Sequence, residues 1–295
     1  MKTLKCIEKE KVIRDVMQRI DTIPALPEAV MKVIKLIDDE NTRPRELEKY
    51  IGADQALTAR MLRLVNSSFF GLTQKVTTIR RAVVLMGYKT LKSLVIAAST
   101  SKFLQRQVAG YNYAPGGLWQ HSLSCASGCR LLAQILGWDG DVVDEMFVCG
   151  LLHDIGKLVL AQHIAGAVDR IRAFMEENDE ELNIAEEEIL GISHCQVGGK
   201  ISQKWRFPEE LRTIISKHHD PSGAGDSSRQ ATIVHVVDYL LNQEHIGLGE
   251  EEGFVQRLDG SAVHAIQPDK QFWKDFHAEL VAGLQEVNQV FGEIQ

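Results

Sequence analysis

Apolar residues recur every three or four positions along nearly the whole chain, the spacing of helices that each bury one face. Val30, Met31, Val33, Ile34, Leu36 and Ile37 form one such stripe, with Pro27 just ahead of it, where a helix starts. A second helix is predicted from Pro44 to Gly52. A third follows Asp54, a good N-cap, and carries Leu57, Met61, Leu64 and Val65. Thr78 caps IRRAVVLM, Gly87 ends it, and a longer helix runs from about Lys89 to Phe103.

QVAGYNYAPGG, 107–117, is the clearest interruption and reads as a linker. Beyond it the pattern predicts helices over 118–136, 141–154, 156–176, 180–190, 194–205, 209–219 and 229–243. HIGLGEEEGF, 245–254, reads as a loop, and the tail as helical from Pro268 onward, with Phe272, Trp273, Phe276 and Leu280 burying something. Strand alternation is nowhere sustained, and there is no heptad array or fixed repeat. The expectation is an all-α chain of two helical subdomains, 1–110 and 111–244, followed by an extension over 245–295.

Composition narrows the class. The 295 residues are 44% hydrophobic, enough for a sizeable core and against disorder of the whole chain. A net charge of -7 argues against non-specific binding to nucleic acid or anionic lipid. The most basic stretch, 60–92, reads as a solvated helix face. No apolar run approaches the ~18 residues that span a bilayer, and the N-terminal MKTLKCIEKEKVIRDV is too charged for a signal peptide. Cys6, Cys125, Cys129, Cys149 and Cys195 are odd in number and scattered, which suggests reduced thiols in a cytoplasm. Cys125 and Cys129 share a helix face, as two small core residues more readily than as half a zinc site.

The candidate chemistry lies where polar residues interrupt apolar stripes. CGLLHDIGKLVLA, 149–161, sets His153, Asp154 and Lys157 inside an apolar run. His121 lies on the stripe of Leu118, Cys125, Cys129 and Leu132, and His218, with His219 beside it, follows Leu211, Ile214 and Ile215. Asp238 lines up with Ala231, Val234 and Leu241, with His235 close by, and His194 opens a helix whose inner face carries Val197 and Ile201. One histidine on an apolar face is more often a hydrogen-bonded core residue than a ligand, and one aspartate near a helix end is more often a cap. Taken together, such buried residues each need a partner, and the cheapest shared partner for several of them is a cation. Imidazole and carboxylate together suit iron, manganese, nickel or zinc, as one or two ions. Lys157, four residues after His153, either faces the same site as a point charge for a phosphate oxygen or lies on a solvated surface. Cys195 beside His194 is no nucleophile–base pair, since adjacent helical residues point apart.

The order His121, His153-Asp154, Asp238 resembles the H…HD…D signature of the HD phosphohydrolase superfamily. HDIGK, with His194 and the His218-His219 pair, is similar to the fuller two-metal set of the HD-GYP branch. The N-terminal half, in IPALPEAVMKVIKLIDD, LEKYIGADQALTARMLRLVNSSFFG and VTTIRRAVVLMGYKTLKSLVIA, resembles the HDOD domain of bacterial signalling proteins, and that resemblance covers roughly 15–240. It implies an all-helical fold and a signalling output role, through a signalling protein partner or a nucleotide ligand in the cytoplasm; charge and run lengths argue against specific nucleic-acid or membrane binding, and a homodimer is a further expectation. Many HDOD members have lost the HD ligands, whereas His121, His153, Asp154, His194, His218, His219 and Asp238 are all present here. HD-GYP proteins carry a Gly-Tyr-Pro tripeptide where this chain has DPSGAGD after His219, which weakens the case for cyclic-di-GMP hydrolysis and leaves metal binding in place. The alternative is a metal-dependent phosphohydrolase acting on a nucleotide or cyclic dinucleotide, with Asp154 bridging two ions and Lys157 steadying charge on phosphate.

Overall fold

The computed structural model describes residues 2–37, 39, 41–66, 72, 74–249, 254, 256–260 and 270–292, with side chains for all of these except 2–6, 270 and 284–292. Cys6's side chain, Ser67, Pro268 and residues 250–253 of the expected loop lie outside the described residues.

The fold is all-helical. Its N-terminal half comprises α1 (Lys2–Thr22), α2 (Glu28–Ile37), α3 (Pro44–Gly52), α4 (Gln55–Val65) and α5 (Ile79–Leu104). Local chemistry sets several of these boundaries. The Asp54 carboxylate accepts from Leu57 N–H, and the Thr78 hydroxyl from Arg81 N–H, so each helix start has one of its orphan donors satisfied. Gly87, at φ 79°, breaks the helical geometry inside α5, a conformation that a residue with a Cβ resists.

The second half comprises α6 (Gly117–Ile135), α7 (Gly140–Leu152), α8 (Lys157–Ala165), α9 (Val168–Asn178), α10 (Leu182–Leu190), α11 (His194–Lys204), α12 (Glu209–Lys217), a 3-10 turn (Pro221–Ser227) and α13 (Ser228–Gln243). α14 (Lys270–Gly292) closes the chain. The single helix expected over 156–176 is two helices: Gly166 and Ala167 interrupt it, and Ala167 N–H bonds back to Ile164 as the chain turns.

α6 and α7 form the central pair. α5 packs chiefly on α7, and α13 and α14 pack chiefly on α6. α1 crosses to the second half and packs on α8, α10 and α11. One large apolar cluster runs from Val16 to Ile215 through both halves. A smaller one gathers Cys125, Cys129, Met146, Ile233, Phe276 and Leu280 under α14. Burying Phe276 and Leu280 contributes about 1.5–3 kcal/mol each to docking that helix. The sulfurs of Cys125 and Cys129 stand 3.8 Å apart within this cluster as small core groups.

Two stretches, Ile79–Leu104 and Gly140–Ala165, are apolar and long enough by composition to cross a membrane, more than the run lengths suggested. They are 56% and 83% buried inside the fold, where a core helix carries the same composition.

Residues 107–117 connect α5 to α6 while built into the interior. Val108 and Tyr111 are buried, Ala114 N–H donates to Gly247, and Gly249 N–H donates to Asn112. Two glycines let backbones meet beneath the site. A Cβ on Gly150 would stand 2.7 Å from the Cys125 carbonyl oxygen, and one on Gly156 would collide with the carbonyl of His194.

Candidate metal centre

The turn between α7 and α8 carries His153 and Asp154. α7 ends at Leu152 because His153, at its C-cap, begins a run of turns that closes on Lys157, whose N–H bonds to the Asp154 carbonyl. His121 comes from α6. His194 opens α11 behind the capping box of Ser193 and Gln196, His218 caps the C-terminus of α12, and Asp238 lies on α13. These six residues are essentially fully buried, and His219 is partly buried. The fold gathers His121, His153, Asp154 and Asp238 into one group of possible metal donors and His194, His218 and His219, with Cys195, into another.

Each of the four deepest imidazoles is oriented through Nδ1. His121 donates to the Ile246 carbonyl at 3.3 Å, His153 to Gly150 at 2.7 Å, and His218 to Ile215 at 2.7 Å. His194 donates to the Glu186 carboxylate at 2.7 Å. A hydrogen bond at Nδ1 fixes the tautomer and turns the Nε2 lone pair toward the centre, the arrangement that surrounds metal-ligating histidines.

The inward atoms converge on Asp154. Its Oδ2 stands 3.4 Å from His153 Nε2 and 3.8 Å from His121 Nε2, and its Oδ1 stands 3.4 Å from His194 Nε2 and 3.9 Å from His218 Nε2. Asp238 Oδ1 lies 2.9 Å from His121 Nε2 and 3.4 Å from His153 Nε2. Donors held about 2.0–2.2 Å from one ion stand roughly 3.0–3.5 Å apart in octahedral or tetrahedral geometry. The three 3.4 Å spacings fall in that range and are long for hydrogen bonds, whereas His121 Nε2 and Asp238 Oδ1, at 2.9 Å, are hydrogen-bonded. His153 Nε2 and Asp154 Oδ1 are buried and make no hydrogen bond at all. Leaving such atoms unsatisfied costs about 1–3 kcal/mol each, and a cation at each of two positions would satisfy them. The residues fit one ion among His121, His153, Asp154 and Asp238, and a second among His194, Cys195, His218 and His219, whose donor atoms lie within 4.8 Å of one another.

Electrostatics follow from the same packing. Burial pushes the Asp154 carboxyl up, but Lys157 and His153 outweigh it and hold the group well below the usual carboxylate range. Asp238 is likewise held well below that range, because His153 and His121 overcome its burial. Burial pushes the His194 imidazole down, but Cys195 and Glu186 hold it up at about 10. His218 is lowered to about 3 by burial and by repulsion from His153 and His194. Without an ion the centre thus holds protons on some imidazoles and refuses them on others. A divalent ion supplies the same charge at one point.

Lys157 is not on a solvated surface. Its Nζ donates to Asp154 Oδ2 at 2.5 Å and to the Tyr113 hydroxyl at 3.2 Å, and Tyr113 donates to the same carboxylate oxygen at 2.9 Å. The sequence reading missed four supporting residues. Tyr111, which donates to Glu186 at 2.6 Å, and Tyr113 sit in the segment read as a linker, where two tyrosines among glycines were the available signal. Glu186 shares the face of Leu182 and Leu190, a carboxylate on an apolar stripe of the kind flagged elsewhere. Gln256 donates from Nε2 to Asp238 Oδ2 at 2.7 Å and accepts from Asn242 at 2.6 Å, and no local pattern marks it.

The model of the HDOD domain family matches residues 23–221, more than half of the chain. The chain belongs to the HDOD family. Among solved structures, this HDOD chain is similar to an HDOD domain protein of unknown function from Geobacter sulfurreducens, with a TM-score of 0.75 at 22% identity over 95% of this chain and 97% of that one. It is also similar to a candidate phosphohydrolase from Shewanella amazonensis SB2B, with a TM-score of 0.69 at 25% identity over 94% and 98% of the two chains. A candidate signal-transduction protein from Marinobacter aquaeolei VT8 matches with a TM-score of 0.73 at 21% identity over 97% of this chain and 65% of that one. The HDOD chain spans 40% of the length of an uncharacterised relative from Treponema pallidum, with which it is 24% identical over 210 residues.

Proposed function

We propose that this HDOD protein is a cytoplasmic signal-transduction output module organised around a divalent-metal centre, and that it acts by binding a protein partner or nucleotide. The observation that carries this reading is an inward-facing set of buried donor atoms with little space beside it. Gln256 covers Asp238, and the cavity beside it, lined by Tyr111, Tyr113, Lys157, His219 and Phe254, measures about 40 Å³. That volume holds about one water, whereas ligand pockets occupy about 300–1,000 Å³. His121, His153, Asp154 and Asp238 would hold one ion, and His194, His218 and His219 a second, with Asp154 shared between them. Iron, manganese, nickel and zinc all suit such donors.

A second reading, a metal-dependent phosphohydrolase, is favoured by Lys157. Its ammonium group and the Tyr113 hydroxyl meet at the edge of the cavity, beside Asp154. Burial and the neighbouring Asp154 push the Tyr113 phenol well up, so it remains a hydrogen-bond donor. Lys157 would steady the charge that grows on a phosphoryl oxygen, and Tyr113 would orient that oxygen. Bound metal would supply a water acidic enough to be a nucleophile near neutral pH.

Metal analysis of the purified protein, followed by a phosphodiester substrate with added manganese or iron, separates the readings. The expected result is bound metal without turnover. Robust metal-dependent turnover would establish the second reading in place of the first, and metal content at background would end both.

A further inference from the structure

We infer that Cys195 is a thiolate ligand to the ion held by His194, His218 and His219, which makes this position thiophilic and chemically unlike the position at Asp238. The inference rests on the metal-centre reading above and names which ion each half of the centre takes.

Cys195 Sγ stands 3.5 Å from His194 Nε2 and 3.9 Å from His218 Nε2. With metal–sulfur and metal–nitrogen bonds of about 2.3 Å and 2.0–2.1 Å, neighbouring sulfur and nitrogen donors on one ion stand roughly 3–3.6 Å apart, close to the His194 spacing. The sulfur is therefore placed where a donor to the same ion belongs. His194 and Cys195 are consecutive, and consecutive helical side chains diverge by about 100°. They converge here because Glu186 draws the His194 ring back through Nδ1, which swings Nε2 toward the sulfur.

Two further observations separate Cys195 from an ordinary core thiol. Among the described residues, it is the one cysteine within a group of converging metal donors, while Cys129 and Cys149 sit in the apolar cluster under α14 and Cys125, in the same cluster, adjoins His153. The position also receives Asp154 Oδ1, which is fully buried, makes no hydrogen bond, and points at His194 and His218.

Donor softness then assigns the metal. Three imidazoles and a thiolate beside the shared Asp154 carboxylate favour zinc or ferrous iron, whereas two carboxylates and two imidazoles also accept manganese. On binding, the S–H bond breaks, the proton leaves to solvent, and the sulfur lone pair forms the bond to the ion. No electron changes hands.

Cobalt(II) added to the metal-free full chain tests this. The expected spectrum shows a near-ultraviolet thiolate-to-cobalt charge-transfer band together with visible d–d bands. Cys195→Ser should remove the charge-transfer band and keep d–d bands, while Cys149→Ala should leave both. X-ray absorption on the wild-type protein loaded with zinc needs no variant and should show a sulfur scatterer at about 2.3 Å. Cobalt d–d bands without charge transfer, or a band that persists in Cys195→Ser, overturn the thiolate assignment alone. Absence of any cobalt spectrum overturns the metal-centre reading and this inference with it.

Discussion

Glu186 holds His194 at two points: one carboxylate oxygen accepts from both the backbone N–H and Nδ1–H of His194, each at 2.7 Å. The other oxygen accepts from Tyr111, so the carboxylate is itself fixed. Glu186→Gln keeps the size but loses charge and acceptor capacity. Metal affinity at the His194 position should fall about 10–100-fold, as measured by competition with a chelator, with helix content unchanged. An unaltered affinity would remove Glu186 from the centre.

Asp154 and Lys157 form a buried pair that serves both ion positions. Asp154→Asn should bring metal content to background. In the metal-free protein it also strands a buried ammonium group, at a cost of about 3–5 kcal/mol. Adding Lys157→Met should restore most of that loss without restoring metal, as read by urea denaturation. If the single variant is as stable as wild type, Lys157 is not held by Asp154.

The pH profile of the metal-free protein has two flanks. His218, lowered to about 3, contributes stability above its unfolded value of about 6.5 and loses it as pH falls from there toward 3. His194, raised to about 10, contributes fully below about 6.5 and loses its contribution as pH rises toward 10. Each flank has a slope of at most about 1.4 kcal/mol per pH unit per group. Stability should therefore peak near pH 6.5, and bound metal should flatten the alkaline flank by replacing the proton on His194. Thermal unfolding across pH with and without zinc measures both effects, and a profile that rises steadily through pH 8 would contradict the assignment.

Gly156, between Asp154 and Lys157, has no room for a side chain, because a Cβ there would run into the carbonyl of His194. Gly156→Ala should drive the α7–α8 turn away from α11 and lose metal at the His194 position before the one at Asp238. Quantitative metal analysis of the variant distinguishes one retained ion from two.

Gln256 covers Asp238 from outside the helices. Gln256→Ala should speed removal of bound metal by a chelator, because it opens the approach and frees an acceptor. Stopped-flow extraction rates test this, and an unchanged rate would place the exit route elsewhere.

The sequence by itself determined the helical fold, most helix boundaries and the seven convergent residues. Helix periodicity and caps are local, and a charged residue on an apolar stripe is visible without coordinates. His121, His153, Asp154 and Asp238 were legible for that reason. Tertiary structure alone decided which carboxylate oxygen faces which imidazole, that Lys157 turns inward, and that Tyr111, Tyr113, Glu186, Gln256 and Cys195 join the centre. Those placements depend on backbones meeting at Gly150 and Gly156 and on segments distant in sequence, such as 107–117 and 256–259, lying against α10 and α13. Local patterning sets the face of a helix but not its neighbours, so a cysteine one residue from a histidine reads as divergent until a glutamate eight residues away turns the ring.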